Sequence, residues 1–180
     1  CYPTSSILGL LPVIPYLQQN SKIILDAKSG ISGAGKSSVE NGLEEDIKEN
    51  FKSYNVGFHR HQPEIKDFLK MEFNLDHEII FIPHLLPLFR GEYVTLYCEV
   101  SQNDLDLNEL YESYYEKHKL VRVKEKGEIA EIKDVINTFY CDISVSYAFQ
   151  SNTIVVNSAI DNLLKGAASQ AIQCLDIMSS

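Results

Sequence analysis

Tyr93-Val94-Thr95-Leu96-Tyr97-Cys98-Glu99-Val100 is the stretch that most firmly predicts the fold of this sequence. β-Branched and aromatic residues dominate it, as they do in strands. Val94, Leu96, Cys98 and Val100 alternate with the other residues and therefore share one face. We predict a half-buried strand whose inner face belongs to the core, with Cys98 among the core residues.

Segments with the same character lie on both sides of this strand. Apolar runs predict further strands over residues 21–27, 78–82, 120–123, 138–149 and 153–157, with Pro83 closing the second of these. Helical patterns predict four helices. The first begins near Pro3 and breaks near Pro12, and the second covers 62–70. The third runs from about 104 to 118 with Asp104 or Asp106 as its N-cap, and the fourth covers 161–175. The predicted class is α+β, a mixed and largely antiparallel sheet with helices on one face.

Composition narrows the function classes. The 180 residues are 44% hydrophobic and 23% charged, which suits one globular domain, and the net charge of −9 offers no basic face to nucleic acid or to an anionic membrane. No apolar run is long enough to cross a bilayer. The four cysteines have no CxxC spacing, so we predict no metal site, no disulfide framework and a reducing, cytoplasmic setting. The absence of an initial Met suggests a piece of a longer protein.

Cys1 precedes the first predicted helix, and Pro3 suits the first turn of that helix. The positive end of a helix favours a thiolate, which is the reactive form of cysteine. Cys1 is therefore a candidate nucleophile. An ordinary buried thiol is an equal alternative from position alone.

His59-Arg60-His61 comes directly before the helix predicted from Gln62. Such a cluster at a helix entrance is well placed to bind an anion, and an imidazole can carry protons near neutral pH. The alternative is that these three are plain surface residues.

The segment 28–38 is rich in glycine and small hydroxyl residues. Its part from Gly30 to Ser37 fits the spacing of a Walker loop superficially. However, residues 38–42 open a helix poorly, and no second strand with an acidic metal ligand follows. A surface turn is a better interpretation than a nucleotide triphosphate site, and our preferred functional interpretation is a loop that touches a cofactor held by another domain.

Five motifs, in order, resemble the second half of N-acetyl-gamma-glutamyl-phosphate reductase. They are Cys1-Tyr2-Pro3-Thr4, the segment from Asp26 to Lys36, His59-Arg60-His61-Gln62-Pro63-Glu64-Ile65, Pro83 to Pro87 with Arg90-Gly91, and Ser158 to Ala168. The resemblance spans essentially the whole chain. The family's N-terminal Rossmann half, with its glycine-rich dinucleotide fingerprint, has no counterpart here.

The resemblance implies a set of site residues. Cys1 matches the nucleophile and His59 the proton-transfer residue. Candidates for lining the NADP cofactor are Ser29, Gly30, Ser32, Gly33 and Asn162. Candidates for binding the acyl phosphate substrate are Arg60, His61, Glu64 and Arg90.

The resemblance also implies a fold similar to the C-terminal domain of glyceraldehyde-3-phosphate dehydrogenase-like enzymes. The implied activity is NADPH-dependent reduction of N-acetylglutamyl 5-phosphate to the semialdehyde, through a cysteine thioester, in arginine biosynthesis. Residues 1–160 would form a catalytic and oligomerisation domain. Residues 161–180 would form a helix that packs on the missing NADP-binding domain, although a core helix of the same domain is an alternative. We expect a dimer or tetramer, and no activity from this chain alone.

Two other function classes remain open. A Cys/His hydrolase or acyltransferase would share the first chemical steps, but it would leave the glycine loop unused. In a non-catalytic oligomerisation domain, apolar sheet residues such as Val94 and Ile143 could belong to the core or to an interface equally well.

Overall fold

The computed structural model describes residues 1–35, 42–148 and 151–179. Lys36 and Ser37 of the Walker-like fragment lie outside the described residues. The same holds for 38–41, which belong to the segment that we interpreted as a poor helix opening, for Phe149 at the end of the predicted strand segment 138–149, and for Gln150 after it. No helix among the described residues has both the length and the apolar character needed to span a bilayer.

In the described parts of the chain, seven strands form one central sheet, in the order β2-β3-β1-β4-β7-β6-β5. The strands are β1 (Lys22–Ser29), β2 (Lys52–Ser53), β3 (Glu78–Leu85), β4 (Glu92–Glu99), β5 (Val121–Val123), β6 (Cys141–Tyr147) and β7 (Thr153–Ile160). The pairs β1–β3 and β5–β6 are parallel, and the other four neighbouring pairs are antiparallel. The predicted mixed, largely antiparallel sheet is confirmed.

The helices are α1 (Tyr2–Leu10), α2 (Leu43–Ile47), α3 (His61–Phe73), α4 (Leu107–Tyr115) and α5 (Ser169–Ser179). A 3-10 segment, Leu11–Tyr16, continues α1 at the predicted break, because Pro12 and Pro15 interrupt regular α-helical hydrogen bonding. Further 3-10 turns cover Ile31–Ala34 and Ile132–Asp134, and a π turn covers Leu164–Ala168.

The main apolar core lies between the sheet and the helices α1, α3 and α4. The inner residues of β4 are fully buried there, Cys98 among them, as the alternation predicted. From the helices, Leu10, Ile65 and Tyr111 enter the same core. Burying such side chains stabilises the fold by roughly 1.5–3 kcal/mol each.

Strand β3 continues through Pro83 to Leu85, so the predicted end at Pro83 is wrong. The Pro83 carbonyl accepts a hydrogen bond from Tyr54 N on the side of the short edge strand β2. In a strand, the N–H and C=O of one residue point the same way. The N–H that Pro83 lacks would therefore face the β2 edge and not β1. Proline is tolerated at such an edge, because no hydrogen bond to a central strand is lost.

The tail does not form the single helix predicted over 161–175. The π turn comes first, and α5 follows it with no buried residue. The alternative that this helix belongs to the core of the same domain is therefore wrong for α5.

Asp106 caps α4, since its carboxylate accepts a hydrogen bond from Glu109 N at 3.2 Å. Replacing Asp106 with Ala should lower the free energy of unfolding by about 1 kcal/mol, because an N–H at the helix start loses its partner. Asp104→Ala is the matched control and should change the free energy of unfolding by less than about 0.5 kcal/mol. Urea unfolding of the three proteins measures both, and equal effects would contradict the assignment of the cap.

Candidate active site

Cys1 is the N-cap residue of α1 and is partly exposed. Pro3 lies in the first turn, where its missing N–H costs nothing. Ser5 N donates the first helical hydrogen bond to the Cys1 carbonyl at 3.3 Å. The predicted position of this cysteine at the positive end of a helix is confirmed, and that end favours an anionic sulfur.

A row of inward-facing residues crosses one end of the sheet, the end where α1 begins. Ser29 pairs with Glu92, Glu92 with Ile160, and Ile160 with Cys141 in register. All four are buried. Ser5 Oγ donates a 2.5 Å hydrogen bond to Glu92 Oε1 and so fixes the first turn of α1 onto this row.

Glu92 is fully buried, and burial raises its pKa to about 7. Its Oε2 atom has no hydrogen-bond partner, and no ion pair to Glu92 occurs in the described ranges. A carboxylate without a cation is disfavoured in such a place. The protonated form therefore persists to neutral pH.

His59 lies among aromatic rings. Its ring centroid is 5.8 Å from that of Tyr2, 5.6 Å from that of Tyr54 and 5.1 Å from that of Phe81. Burial lowers the pKa of His59, and the nearby Arg60 charge lowers it further. His61 N donates to His59 Nδ1 at 3.3 Å. In the neutral ring the hydrogen is therefore on Nε2, which leaves that atom as the donor.

Tyr2 connects the helix start with the histidine cluster. It follows Cys1 directly, and its ring has edge contacts with both His59 and His61. The fold thus brings together two motifs that are far apart in the sequence.

The other residues predicted to bind substrate differ in their surroundings. His61 is half-buried, and burial lowers its pKa to about 4, so it is neutral at pH 7. Arg60 is exposed and lines a cleft of about 830 Å³ together with His59. Glu64 is exposed on α3 and lines a second cleft of about 400 Å³.

Arg90 is tied to the fold by its own contacts. Its Nε lies 2.8 Å from the buried carboxylate of Asp161, and its Nη1 donates to Asn137 Oδ1 at 2.7 Å. Asp161 also accepts hydrogen bonds from backbone N–H groups of Asn137 and Leu163. Arg90 therefore anchors the segment before β4, and its role in substrate binding stays a prediction.

Asn162 joins the two loops at this end of the sheet. Gly91 N donates to its Oδ1 at 2.7 Å, and its Nδ2 donates to Ser32 Oγ at 3.0 Å. The side chain is buried. Its direct contacts are with the protein, and through them it fixes the position of Ser32.

The predicted cofactor loop divides into an inner and an outer part. Ser29 and Gly30 are buried, and a Cβ on Gly30 would lie 2.8 Å from the backbone of residues 88–90, so glycine is needed there for internal packing. Ser32 is half-buried and Gly33 is exposed, and Gly33 lines the cleft that contains His59. These two residues could contact a flat cofactor ring in that cleft.

Sequence reasoning gave no individual role to three further site residues. Gly166 lies against the nucleophile candidate, and a Cβ there would be 2.5 Å from Cys1 Cβ. Glu92 and Ser5 support the same helix start from below. Gly166 belongs to the motif 158–168 that supports the resemblance, so that motif contained a signal. No pattern in the sequence indicated the Ser5–Glu92 contact, since 87 positions separate the two residues.

Comparisons with known proteins identify the family and the fold of the chain. Residues 1–162 match the model of the family described as semialdehyde dehydrogenase, dimerisation domain. Two solved structures share the fold. Aspartate semialdehyde dehydrogenase II from Vibrio cholerae has a TM-score of 0.76 at 16% identity, and the match covers 97% of this chain and 59% of that one. A probable aspartate-semialdehyde dehydrogenase from Pseudomonas aeruginosa has a TM-score of 0.78 at 14% identity, and the match covers 99% of this chain and 60% of that one. The chain therefore belongs to the semialdehyde dehydrogenase dimerisation-domain family, and its predicted fold class is confirmed.

Two curated relatives bear the same enzyme name. The chain is 42% identical to N-acetyl-gamma-glutamyl-phosphate reductase of Thermoanaerobacter sp. (strain X514) over 181 residues, and 43% identical to the Halothermothrix orenii protein of the same name over 182. Each match covers 99% of this chain and 52% of the relative. The resemblance inferred from the five motifs is confirmed, and the chain spans about half the length of these relatives.

Replacing Gly166 with Ala should push Cys1 out of its N-cap position, because the added methyl group would overlap Cys1 Cβ. Loss of the helix-end interaction, about 1 kcal/mol, should slow alkylation of Cys1 by iodoacetamide about fivefold. Mass spectrometry of the Cys1 peptide measures this rate. Ala167→Ser, at the exposed neighbouring position, is the control and should leave it unchanged.

Replacing Glu92 with Gln should stabilise the protein at pH 8 by about 3 kcal/mol and have little effect at pH 4. The pKa of Glu92 is raised above its unfolded value of about 4.5. Its contribution to stability is therefore fully present below pH 4.5 and is lost as the pH rises through 7. Urea unfolding at the two pH values tests this. An equal change at both would show that the ionised form is not destabilised in the fold.

Proposed function

We propose that this chain is the catalytic half of a two-domain reductase that converts N-acetylglutamyl 5-phosphate to its semialdehyde for arginine biosynthesis. The observation that carries this proposal is the contact of Tyr2, which follows Cys1 at the start of α1, with the ring of His59, which lines the same cleft as Gly33. The name borne by the relatives supports the choice of substrate.

The first step is acyl transfer to Cys1. The thiolate attacks the acyl carbon, a C–S bond forms, the bond from carbon to the phosphate oxygen breaks, and inorganic phosphate leaves. The helix end favours the thiolate before the attack. Arg60, exposed beside His59, is placed to attract the phosphate.

The second step reduces the thioester. NADPH, bound mainly by the other domain, supplies a hydride. Ser32 and Gly33 would line its nicotinamide ring from this chain, and Asn162 and Ser29 would hold that loop in place. The neutral His59 ring carries its hydrogen on Nε2 and donates it toward the oxygen of the acyl group as negative charge develops there. In the collapse of the resulting hemithioacetal, His59 Nε2 takes the hydrogen back from the hydroxyl group, the C–S bond breaks, and the aldehyde leaves with the Cys1 thiolate restored.

Helix α5 is the surface on which we place the N-terminal NADP-binding domain. Ile172, Leu175 and Met178 are 60%, 62% and 85% exposed on it. Apolar side chains grouped on one short helix indicate a partner surface. With this partner absent, residues 1–180 should have no reductase activity.

The sheet face opposite the helices is where we place the homo-oligomer contact. It presents half-buried Ile24, Ile82, Tyr97 and Val155, and the family's description as a dimerisation domain supports this use. The described cysteines are all free, which suits a reducing cytoplasm.

The roles of Cys1 and His59 can be tested in the complete reductase. Cys1→Ala should lower turnover by about 10⁶-fold, because the covalent intermediate cannot form. His59→Gln should lower it by about 10²- to 10⁴-fold through loss of proton transfer. The measurement is NADPH oxidation with N-acetylglutamyl phosphate, and Cys174→Ala, at an exposed cysteine, is the control.

Product analysis in the same assay separates reduction from hydrolysis. An aldehyde supports the reductase, and release of N-acetylglutamate without NADPH oxidation would establish the hydrolase instead. Wild-type turnover in either variant would remove that residue from the mechanism.

A further inference from the structure

Lys165 is a buried ammonium group without an anionic partner. The residue is 2% exposed, and its Nζ donates to Gln173 Oε1 at 2.7 Å. No carboxylate lies within ion-pair distance of it in the part of the chain that the structure describes. Burial lowers its pKa. A buried cation normally has an anion nearby, so this position lacks a group that would stabilise it.

A π turn creates the position. Gly166 N donates to Asp161 O at 2.9 Å and Ala168 N to Leu163 O at 3.1 Å, both across five residues. Within this turn Lys165 is buried while Gly166 packs directly against Cys1. Such turns are rare and occur frequently at functional sites. The ammonium-bearing residue is thus adjacent in sequence to the one that touches the nucleophile.

The cleft of about 400 Å³ opens beside Lys165, between α1, α4 and α5. Pro3 and Thr4 of the first turn of α1 line it, so it adjoins the Cys1 end of that helix. Gln170 lines it too, and its buried Oε1 has no hydrogen-bond partner. The cleft therefore offers a cation and an unused acceptor to a ligand that carries an anion and an N–H donor.

We propose that Lys165 binds the α-carboxylate of the substrate and that Gln170 Oε1 accepts the hydrogen of its acylated amino group. This rests on the proposed function and names the two residues of this chain that would recognise the end of the substrate remote from the acyl phosphate. Glu64 also lines the cleft, but it is exposed and solvated. The carboxylate would supply the charge that Lys165 lacks, and the amide N–H would satisfy Gln170.

The test uses the complete reductase and three acyl phosphates. N-acetylglutamyl phosphate carries both groups, glutaryl phosphate keeps the carboxylate but lacks the acylamino group, and butyryl phosphate lacks both. Lys165→Met should lower kcat/KM about 10- to 100-fold for N-acetylglutamyl phosphate and glutaryl phosphate. For butyryl phosphate it should leave kcat/KM within about threefold of the wild-type value. Gln170→Leu should lower it only for N-acetylglutamyl phosphate. Lys22→Met, at an exposed lysine, is the control.

An equal fall for all three substrates in Lys165→Met would show a purely structural role and overturn the inference. Should that variant fail to fold, the selectivity of Gln170→Leu decides, since an unselective loss there also contradicts the site. If the wild type reduces none of the substrates, the proposed function fails separately. Calorimetric titration with N-acetylglutamate then tests Lys165 directly, and equal binding by wild type and Lys165→Met would refute it.

Discussion

The hydrogen bond from Ser5 to Glu92 is the contact on which the arrangement of the site depends. It fixes the first turn of α1 over the row of Ser29, Glu92, Ile160 and Cys141. Cys1 has no side-chain capping bond of its own. Two contacts set its position: the Cys1 carbonyl accepts a hydrogen bond from Ser5 N, and Gly166 packs against the Cys1 side chain. The candidate nucleophile is thus held through its backbone, and its thiol makes no capping hydrogen bond.

Two buried groups without an opposite charge flank this helix start. Glu92 lies below it and Lys165 lies in the π turn that contacts it. Each is disfavoured in its ionised form by loss of hydration. Unpaired buried groups of this kind lower stability, and they persist where function needs them. The two buried groups therefore lower the stability of the protein at this site, and the apolar core around them stabilises the fold.

The strands and most helices could be predicted because their causes are local. Alternation placed Val94, Leu96 and Cys98 in the core, and the carboxylate of Asp106 capped α4 as such residues do. Errors arose where a distant partner overrides a local rule. Pro83 stays in a strand because its missing N–H faces a two-residue edge strand. The tail departs from a regular helix because the π turn brings Gly166 against Cys1.

The sequence by itself determined the α+β class, the family, and the position of Cys1 at a helix start, since periodicity, proline placement and motif order are all local properties. Only the tertiary structure decided which side chains meet. It placed the His59 ring against Tyr2, tied Arg90 to Asp161, and buried Glu92 and Lys165 without counter-charges. These features depend on contacts between residues tens of positions apart. Burial and electrostatic partners are properties of the packed molecule and leave no periodic signal in the chain.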